Sequence, residues 1–436
     1  MAYSVDALQI LRRPEVRTYL INAFGIGSPE QSYERVIEFF TRHREIEQEV
    51  ARLREDATGE LDPKVLVSAA AKELGYWDPE RILDYTGNSI RKGLARFRVS
   101  QHGDGGWGYH WETSSTWATA HALLALGAAR GLNIEVDSQM VERGFSWLTT
   151  NYKRWSLSYI PADGWSSIYE ASLVIRCFVC SGRTFRETDL SLQEIANRQS
   201  AGGGWDPSYH GPEVKPAREL DPETGATSMA IQALASAGKG EFNELIEKGV
   251  RWILNAQDPD GYWRSGPNDD PPGKANQPSL SKTCDALSGI AAARAASTTV
   301  DCSEAISKAL NWILEQEKFL SSSSGWGYDQ VHDDGEKRSD LVSTCLVLEA
   351  LVQTEGVALP LITPYAQLLM AAQTDQPGNV EDGNWHRGDT FRITLALIEY
   401  WIKVKAGQSA LQEIPVTPAP ASVNSSSLKR ESAAST

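Results

Sequence analysis

The sequence predicts an all-α fold, an (α/α)6 barrel built from six helix-pair repeats. Three observations predict it. A Gly-Trp pair recurs along the chain, at Trp107, Trp165, Trp205, Trp263, Trp326 and Trp385, with successive spacings of 58, 40, 58, 63 and 59 residues. Each pair is followed by a short run that is apolar nearly all round, such as ATAHALLALGAARG, ASLVIRCFVCSG, TSMAIQALASAG, KTCDALSGIAAARA, STCLVLEALV and TFRITLALIEYW. A helix without a polar face is a buried helix. Before most of the pairs lies an amphipathic segment with Glu and Lys on one face, such as EFNELIEKGVRWILNAQ or CSEAISKALNWILEQE. Each unit is therefore an outer helix, a Gly-Trp turn and an inner helix. One unit cannot bury its apolar face alone, so units stack, and six close into a barrel. The short interval before Trp205 marks one lean unit.

The flanks read differently. Residues 1–89 precede the repeats as charged N-terminal helices packed on the barrel, with Ser28-Pro29-Glu30 as a helix start. The barrel is expected over 90–406. The tail, 407–436, is rich in Ser, Pro and Ala and is expected to be disordered. Strand alternation is nearly absent.

Composition narrows the function classes. The chain has 436 residues, 41% hydrophobic and 23% charged, which is enough for one large core. A net charge of −15 argues against nucleic acid and against electrostatic docking on an anionic membrane. Five scattered cysteines make no disulfide framework and point to a reducing compartment. No secretory h-region opens the chain, and no apolar run reaches the ~18 residues of a membrane span. The expected localisation is cytoplasmic, with peripheral membrane contact for taking up a lipid substrate.

One stretch carries a more specific pattern. Lys248-Gly249, Trp252-Ile253, Gln257, Gly261 and Trp263 spell KGxxWIxxxQxxxGxW, and looser copies join Gln101 to Trp107, Gln199 to Trp205 and Gln373 to Trp385. This resembles the QW motif of the squalene-hopene and oxidosqualene cyclases, across residues ~90–405. The larger members of that superfamily carry two barrels, and this chain has room for one. It therefore looks like a monodomain, β-domain-type class II terpene cyclase. The resemblance implies proton-initiated cyclisation of a polyprenyl chain, with a prenylated aromatic (meroterpenoid) substrate, no cofactor and no metal. It departs from the family at the proton donor. The stretch matching the Asp-x-Asp-Asp-Thr-Ala motif of the family is Ile168-Tyr169-Glu170-Ala171-Ser172-Leu173-Val174-Ile175, where only Glu170 supplies a carboxyl and Tyr169 replaces the middle Asp, and no Asp-x-Asp-Asp occurs in the sequence.

Alkene protonation needs a positioned acid in a dry pocket, and the cation that follows needs shielding from water. Inner helices begin with acids: Glu112, Glu170, Glu223, Asp340 and Asp389. Helix capping explains any one of them, at ~0.3–1 kcal/mol. All would nonetheless ring one mouth of the barrel, and one kept protonated by burial becomes a donor. Glu112 and Glu170 are the first candidates and Asp340 the third. Aromatic faces stabilise a cation through the ring quadrupole, at ~0.5–2 kcal/mol per contact. The candidates are Trp111, Trp117, Tyr169, Trp165 and Trp385, against a plain packing role for the Gly-Trp tryptophans.

Metal-dependent ionisation would need an Asp-Asp-x-x-Asp cluster. His332-Asp333-Asp334-Gly335-Glu336 has the wrong spacing, and Asp269-Asp270 runs into Pro271-Pro272. Zinc is not expected, since Cys284 and Asp301-Cys302 lack the arrangement, and Cys177-x-x-Cys180 sits in an apolar run. Two other functions fit the fold. An (α/α)6 carbohydrate-active enzyme would present two carboxylates across an aromatic groove. A non-catalytic barrel scaffold would have kept the fold and lost the acid. The lining of the cavity separates the three.

Overall fold

The outer and inner segments alternate in the computed structural model, which describes residues 79–108, 113–158, 165–210, 221–264, 278–316, 341–355, 357, 359–371, 373 and 390–412. The expected N-terminal helices before residue 79 and the tail beyond 412 lie outside the described residues. The odd-numbered helices are the outer ones: α1 Pro79–Ser100, α3 Ser138–Thr150, α5 Arg186–Asn197, α7 Asn243–Asn255, α9 Ser303–Gln316 and α11 Leu359–Ala371. The even-numbered ones are inner: α2 Thr116–Gly131, α4 Ile168–Cys180, α6 Thr224–Ser236, α8 Leu280–Ala295, α10 Leu341–Gln353 and α12 Thr390–Gln412. The first outer helix begins before residue 90, because Ile82 and Ile90 continue the buried stripe of Leu94 and Phe97.

The inner helices touch in the order α2, α4, α6, α8, α10, α12 and back to α2, so the ring closes. Small residues let them approach. A Cβ on Gly289 of α8 would lie 2.9 Å from the Cα of Ser228 in α6. Outer helices lie in the grooves between inner ones: α5 contacts α4 and α6, and α7 contacts α6 and α8. Two antiparallel strand pairs accompany the turns, β1 (Trp165–Ser167) with β2 (Ser208–His210) and β3 (Trp263–Arg264) with β4 (Pro278–Ser279). They are too short to show as alternation in the sequence. Among the described residues no helix is long and apolar enough to cross a membrane.

Three of the described turns are held by the same bonds. Trp107, Trp205 and Trp263 are fully buried, and their indole N–H groups donate to Phe97, Ile195 and Ile253 carbonyls at 2.9, 2.7 and 2.8 Å. Their backbone N–H groups donate to Thr119, Thr227 and Thr283 Oγ1 at 3.0, 3.0 and 3.1 Å, in the first turns of the inner helices. The glutamine that ends an outer helix reaches the next one. Gln101 Nε2 donates to Met140 O at 2.9 Å, Gln199 to Leu245 O at 2.7 Å and Gln257 to Ala305 O at 2.9 Å. Gln373, after α11, donates to Ser89 O of α1 at 3.0 Å and so bridges the last outer helix to the first. Glycines at φ +95, +100 and +100 (Gly105, Gly203, Gly261) supply the left-handed residue these turns need.

The lean unit departs from this pattern. Its buried tryptophan is Trp155, whose indole N–H donates to Leu148 O at 3.0 Å, whereas Trp165 lies in β1. The outer helices there are bridged by serine: Leu157 N donates to Ser191 Oγ at 3.0 Å.

Helix crossing over the turn tryptophan is tight. A Cβ at Gly249 would stand 2.8 Å from Trp205 Cζ3 and 3.0 Å from Ile231 Cδ1. Gly249→Ala is expected to cost ~1–3 kcal/mol by overpacking. Gly127→Ala, with nothing within 4 Å, is expected to gain ~0.5–1 kcal/mol from helix propensity alone. Urea unfolding of the two variants checks this, and equal effects of the same sign would refute the tight crossing.

Candidate functional site

A cavity of about 260 Å³ lies inside the inner ring. Its lining repeats helix by helix. In α2 it uses the second, sixth and ninth residues, Trp117, His121 and Leu124; in α4 the same positions give Tyr169, Leu173 and Arg176. In α8 they are Ser281, Asp285 and Ser288, and in α10 Val342, Leu346 and Glu349. Spacing of four then three residues keeps one stripe of a helix on one line. From α6 come Met229 and Gln232, and from α12 Arg392, Leu395 and Glu399.

The lining is graded along that line. Near the inner-helix starts stand Trp117, Tyr169 and Lys282. Leu173, Met229, Leu346 and Leu395 make an apolar belt, with His121 and Asp285 between them. The far end is polar and charged, with Arg176, Gln232, Glu349, Gln353 and Glu399; Arg392, in the first turn of α12, extends its guanidinium to Glu349 there. The cavity expected from the sequence is apolar and aromatic-lined. The belt fits that expectation, and the charged floor differs from it.

On the floor, Glu349 Oε2 accepts from Arg392 Nε at 2.8 Å and from Nη2 at 2.7 Å. Glu399 accepts one bond, from Gln353 Nε2 to Oε2 at 2.9 Å. Burial, and then the Glu349 charge, push the Glu399 carboxyl up to about 7 against the bond from Gln353 and the charges of Arg176 and Arg392. It is therefore protonated below about pH 7 and about half protonated at neutral pH. His121 Nδ1 lies 3.0 Å from Trp117 O and its ring 4.8 Å from the Trp117 ring. Burial and the charge of Arg392 hold the imidazole well below its usual range, so it is neutral.

At the other end, Lys282 Nζ donates to Tyr169 Oη at 3.1 Å, and the Tyr169 hydroxyl donates to Glu223. Lys282 also pairs with Glu223 at 3.5 Å. Its ammonium lies 5.6 Å from the Tyr169 ring centre, so that ring already faces a cation. Glu223 starts α6 without a side-chain cap bond; its carboxyl is spent on Tyr169 and Lys282 instead.

The candidates named from sequence separate as follows. Trp117 and Tyr169 line the cavity. Glu170 lies in the first turn of α4, where burial raises its carboxyl against the pull of Arg154, but it is not among the described residues that line the cavity. Trp111, Glu112, Asp340 and Trp385 lie outside the described residues, and for Trp165 only the backbone in β1 is described. Cys177 is buried and Cys180 exposed, both as free thiols. Among the described residues no group of three His, Cys, Asp or Glu is placed to hold a metal ion. Sequence reasoning missed the floor, although its signal is present: Arg176, Glu349, Arg392 and Glu399 are charges inside runs that are otherwise apolar all round.

Two outcomes follow from the floor. Replacing Arg392 by Met leaves Glu349 buried without its partner, an expected loss of ~3–5 kcal/mol; replacing both, Arg392→Met with Glu349→Leu, is expected to recover most of it. A double-mutant cycle in urea measures this, and a harmless Arg392→Met alone contradicts the pairing. Glu399 also makes stability depend on pH. Folded Glu399 keeps its proton up to about 7, whereas the unfolded carboxyl releases it from the ordinary 4.5 upward. The contribution is complete below 4.5 and is lost as pH rises to about 7, by on the order of 3 kcal/mol. The difference between wild type and Glu399→Gln should shrink by that amount across the window, and a constant difference would contradict the raised carboxyl.

No family model matches the chain. A curated relative, (+)-kolavenyl diphosphate synthase of Herpetosiphon aurantiacus, is 40% identical over 67 residues. That match takes in 15% of this chain and 13% of the relative. Among solved structures, the type II terpene cyclase MstE from Scytonema is 12% identical with a TM-score of 0.50, over 74% of this chain and 99% of its own. MstE has also been solved with geranylgeranyl dihydroxybenzoate as substrate and merosterolic acid A as product. Cellobiose 2-epimerase of Bacillus thermoamylovorans is 11% identical with a TM-score of 0.54, over 73% of this chain and 99% of its own. At these identities the shared property is the fold: this chain is a helical barrel of the kind found in type II terpene cyclases and in that epimerase.

Proposed function

We propose that the chain is a single-barrel class II terpene cyclase that protonates a prenyl chain and closes rings through carbocation intermediates. The observation that carries this reading is a barrel-axis cavity in which an acid that keeps its proton up to about pH 7 sits beyond an apolar belt. The belt of Leu173, Met229, Leu346 and Leu395 accepts an isoprenoid chain and excludes water from it. Trp117 offers a ring face to the cation. A chain held folded in the cavity loses little further entropy when rings close. The sequence register offers Glu170 as an alternative donor, with Glu112 and Asp340, which lie outside the described residues, as further candidates.

The substrate class is a prenylated aromatic acid, as in MstE. Its phenol and carboxyl groups suit the polar groups at the inner-helix starts, Tyr169 and Lys282. The reading places the enzyme in the cytoplasm with peripheral contact on a membrane, from which a prenylated substrate is drawn. A net charge of −15 makes that contact apolar rather than electrostatic.

Incubation with geranylgeranyl dihydroxybenzoate should give a product of unchanged mass, and in D₂O a product carrying one non-exchangeable deuterium. Recovery of unreacted substrate from that compound, from geranylgeranyl and farnesyl diphosphates and from squalene would end the cyclase reading. Trp117→Leu is expected to lower turnover roughly 2- to 30-fold, the range of one cation–ring contact.

A further inference from the structure

We propose that Glu399, on the floor of the cavity, is the residue that delivers the proton to the prenyl chain, with Gln353 and Glu349 as its positioning residues. The proposal rests on the cyclase reading and names the donor for it. Three observations separate Glu399 from Glu170, Glu223 and Glu349.

The first is access. Glu399 lines the cavity and Glu170 is not among the described residues that do. The second is pairing. Glu349 is bound twice by Arg392, and Glu223 is engaged by Tyr169 and Lys282, so each already faces a cation or a hydroxyl donor. Glu399 accepts a single bond from a neutral amide, Gln353, on Oε2, which leaves Oε1 to carry the proton. The third is charge. The charged groups that bear on Glu399 are Glu349 of α10, Arg176 of α4 and Arg392 of its own helix. His121 of α2 is neutral, Asp285 of α8 lies further round the lining, and α1 and α11 meet the rest of α12 through Trp401 to Leu83 O and Tyr400 to Thr363. Burial and Glu349 keep the acid protonated before the reaction. Arg176, Arg392 and the Gln353 N–H stabilise the carboxylate as it forms. These groups are in place before charge develops, which is the arrangement that lowers a barrier.

The step balances without a co-reactant. The Oε1–H bond breaks and its electron pair stays on the carboxylate. The alkene π pair takes the proton, a C–H bond forms and the adjacent carbon becomes a tertiary cation. Successive alkenes attack that cation as rings close. The last cation loses a proton to water or is captured by the phenol oxygen, which then loses its own. Water returns a proton to Glu399. Nothing is oxidised or reduced. The geometry also orients the substrate: its prenyl terminus reaches the floor, and its aromatic head lies about 10 Å away, seven helical residues back, near Tyr169 and Lys282.

The test compares wild type, Glu399→Gln, Glu399→Asp, Glu349→Gln and Glu170→Gln on geranylgeranyl dihydroxybenzoate, with substrate binding and thermal unfolding measured alongside. Glu399→Gln should lose about 10²- to 10⁴-fold in turnover while still binding substrate. Glu399→Asp should retain part of it, and a loss in Glu170→Gln larger than that in Glu399→Gln would overturn the assignment. Wild-type kcat/KM should fall about tenfold per pH unit above about 7, and Glu349→Gln should move that fall to lower pH, a shift that a purely structural role would not produce. Infrared spectra of the free protein should show a protonated-carboxyl carbonyl band that fades as pH rises through about 7 and is missing from Glu399→Gln. If wild type turns over and Glu399→Gln does so too, the donor assignment alone is overturned. If wild type is silent on every prenyl substrate, the cyclase reading falls and takes the assignment with it. Should Glu399→Gln not fold, an unchanged rate in Glu399→Asp together with a flat wild-type profile through about pH 7 overturns the assignment.

Discussion

The last carbonyls of an α-helix have no partner within the helix, and a barrel with six outer helices has six such ends to satisfy. Phe97, Leu148, Ile195 and Ile253 each lie in the last turn of an outer helix, and each carbonyl receives a buried indole N–H. In three of these units the same tryptophan donates its backbone N–H to a threonine in the first turn of the following inner helix. One residue thus fixes where an outer helix stops and where an inner helix starts. The start in turn fixes which inner residues face the axis. Trp117, His121 and Leu124 of α2 line the cavity at the same offsets as Ser281, Asp285 and Ser288 of α8 because both helices begin from equivalent turns. The cavity is therefore a consequence of the turns, read out through helical periodicity.

This explains what the sequence disclosed. The turn chemistry is local: Gly-Trp, a preceding Gln and a following apolar run all fall within one repeat, so the repeat and the barrel were legible from spacing alone. The lean unit was misread for the same reason. Its Gly-Trp pair at Trp165 matched the pattern, but the indole that satisfies the outer helix belongs to Trp155, ten residues earlier, and the tie to the next outer helix is made by Ser191 rather than by a glutamine. The site was legible only at its mouth. Trp117 and Tyr169 sit at the second position of their helices, next to the motif that drew attention to them. Glu349, Arg392 and Glu399 come from the last two inner helices and meet only when α12 packs on α10, so nothing near Glu349 in sequence announces the other two.

The distribution of polarity along the axis has its own logic. Burying an ion pair is costly, and an apolar pair of the same size in place of Arg392 and Glu349 would stabilise the barrel as well or better. Their presence on the floor argues that the floor serves something other than folding. The belt between floor and mouth is built of Leu and Met with His121 and Asp285 among them, and it lies between Lys282 at the helix starts and Arg176 two turns further on. A ligand that spans the cavity thus meets polar groups at both ends and, between them, four apolar side chains interrupted by His121 and Asp285.

The register of the inner helices also limits where such charges can stand. Successive residues of a helix are about 100° apart, so shifting Glu399 or Glu349 by one position turns it from the axis into the seam between inner and outer helices. That seam is close-packed: Trp205 against Gly249 leaves no space for one added carbon. A carboxylate there would have neither water nor a cation and would cost several kcal/mol. Charge is tolerated only on the axial stripe, and within that stripe only where an arginine or an amide stands on a facing or neighbouring turn. Glu349 satisfies the condition with Arg392 and remains charged. Glu399 satisfies it in part, through Gln353, and keeps its proton. The difference between a structural carboxylate and an acid on this floor is therefore one guanidinium, placed on one glutamate and withheld from the other.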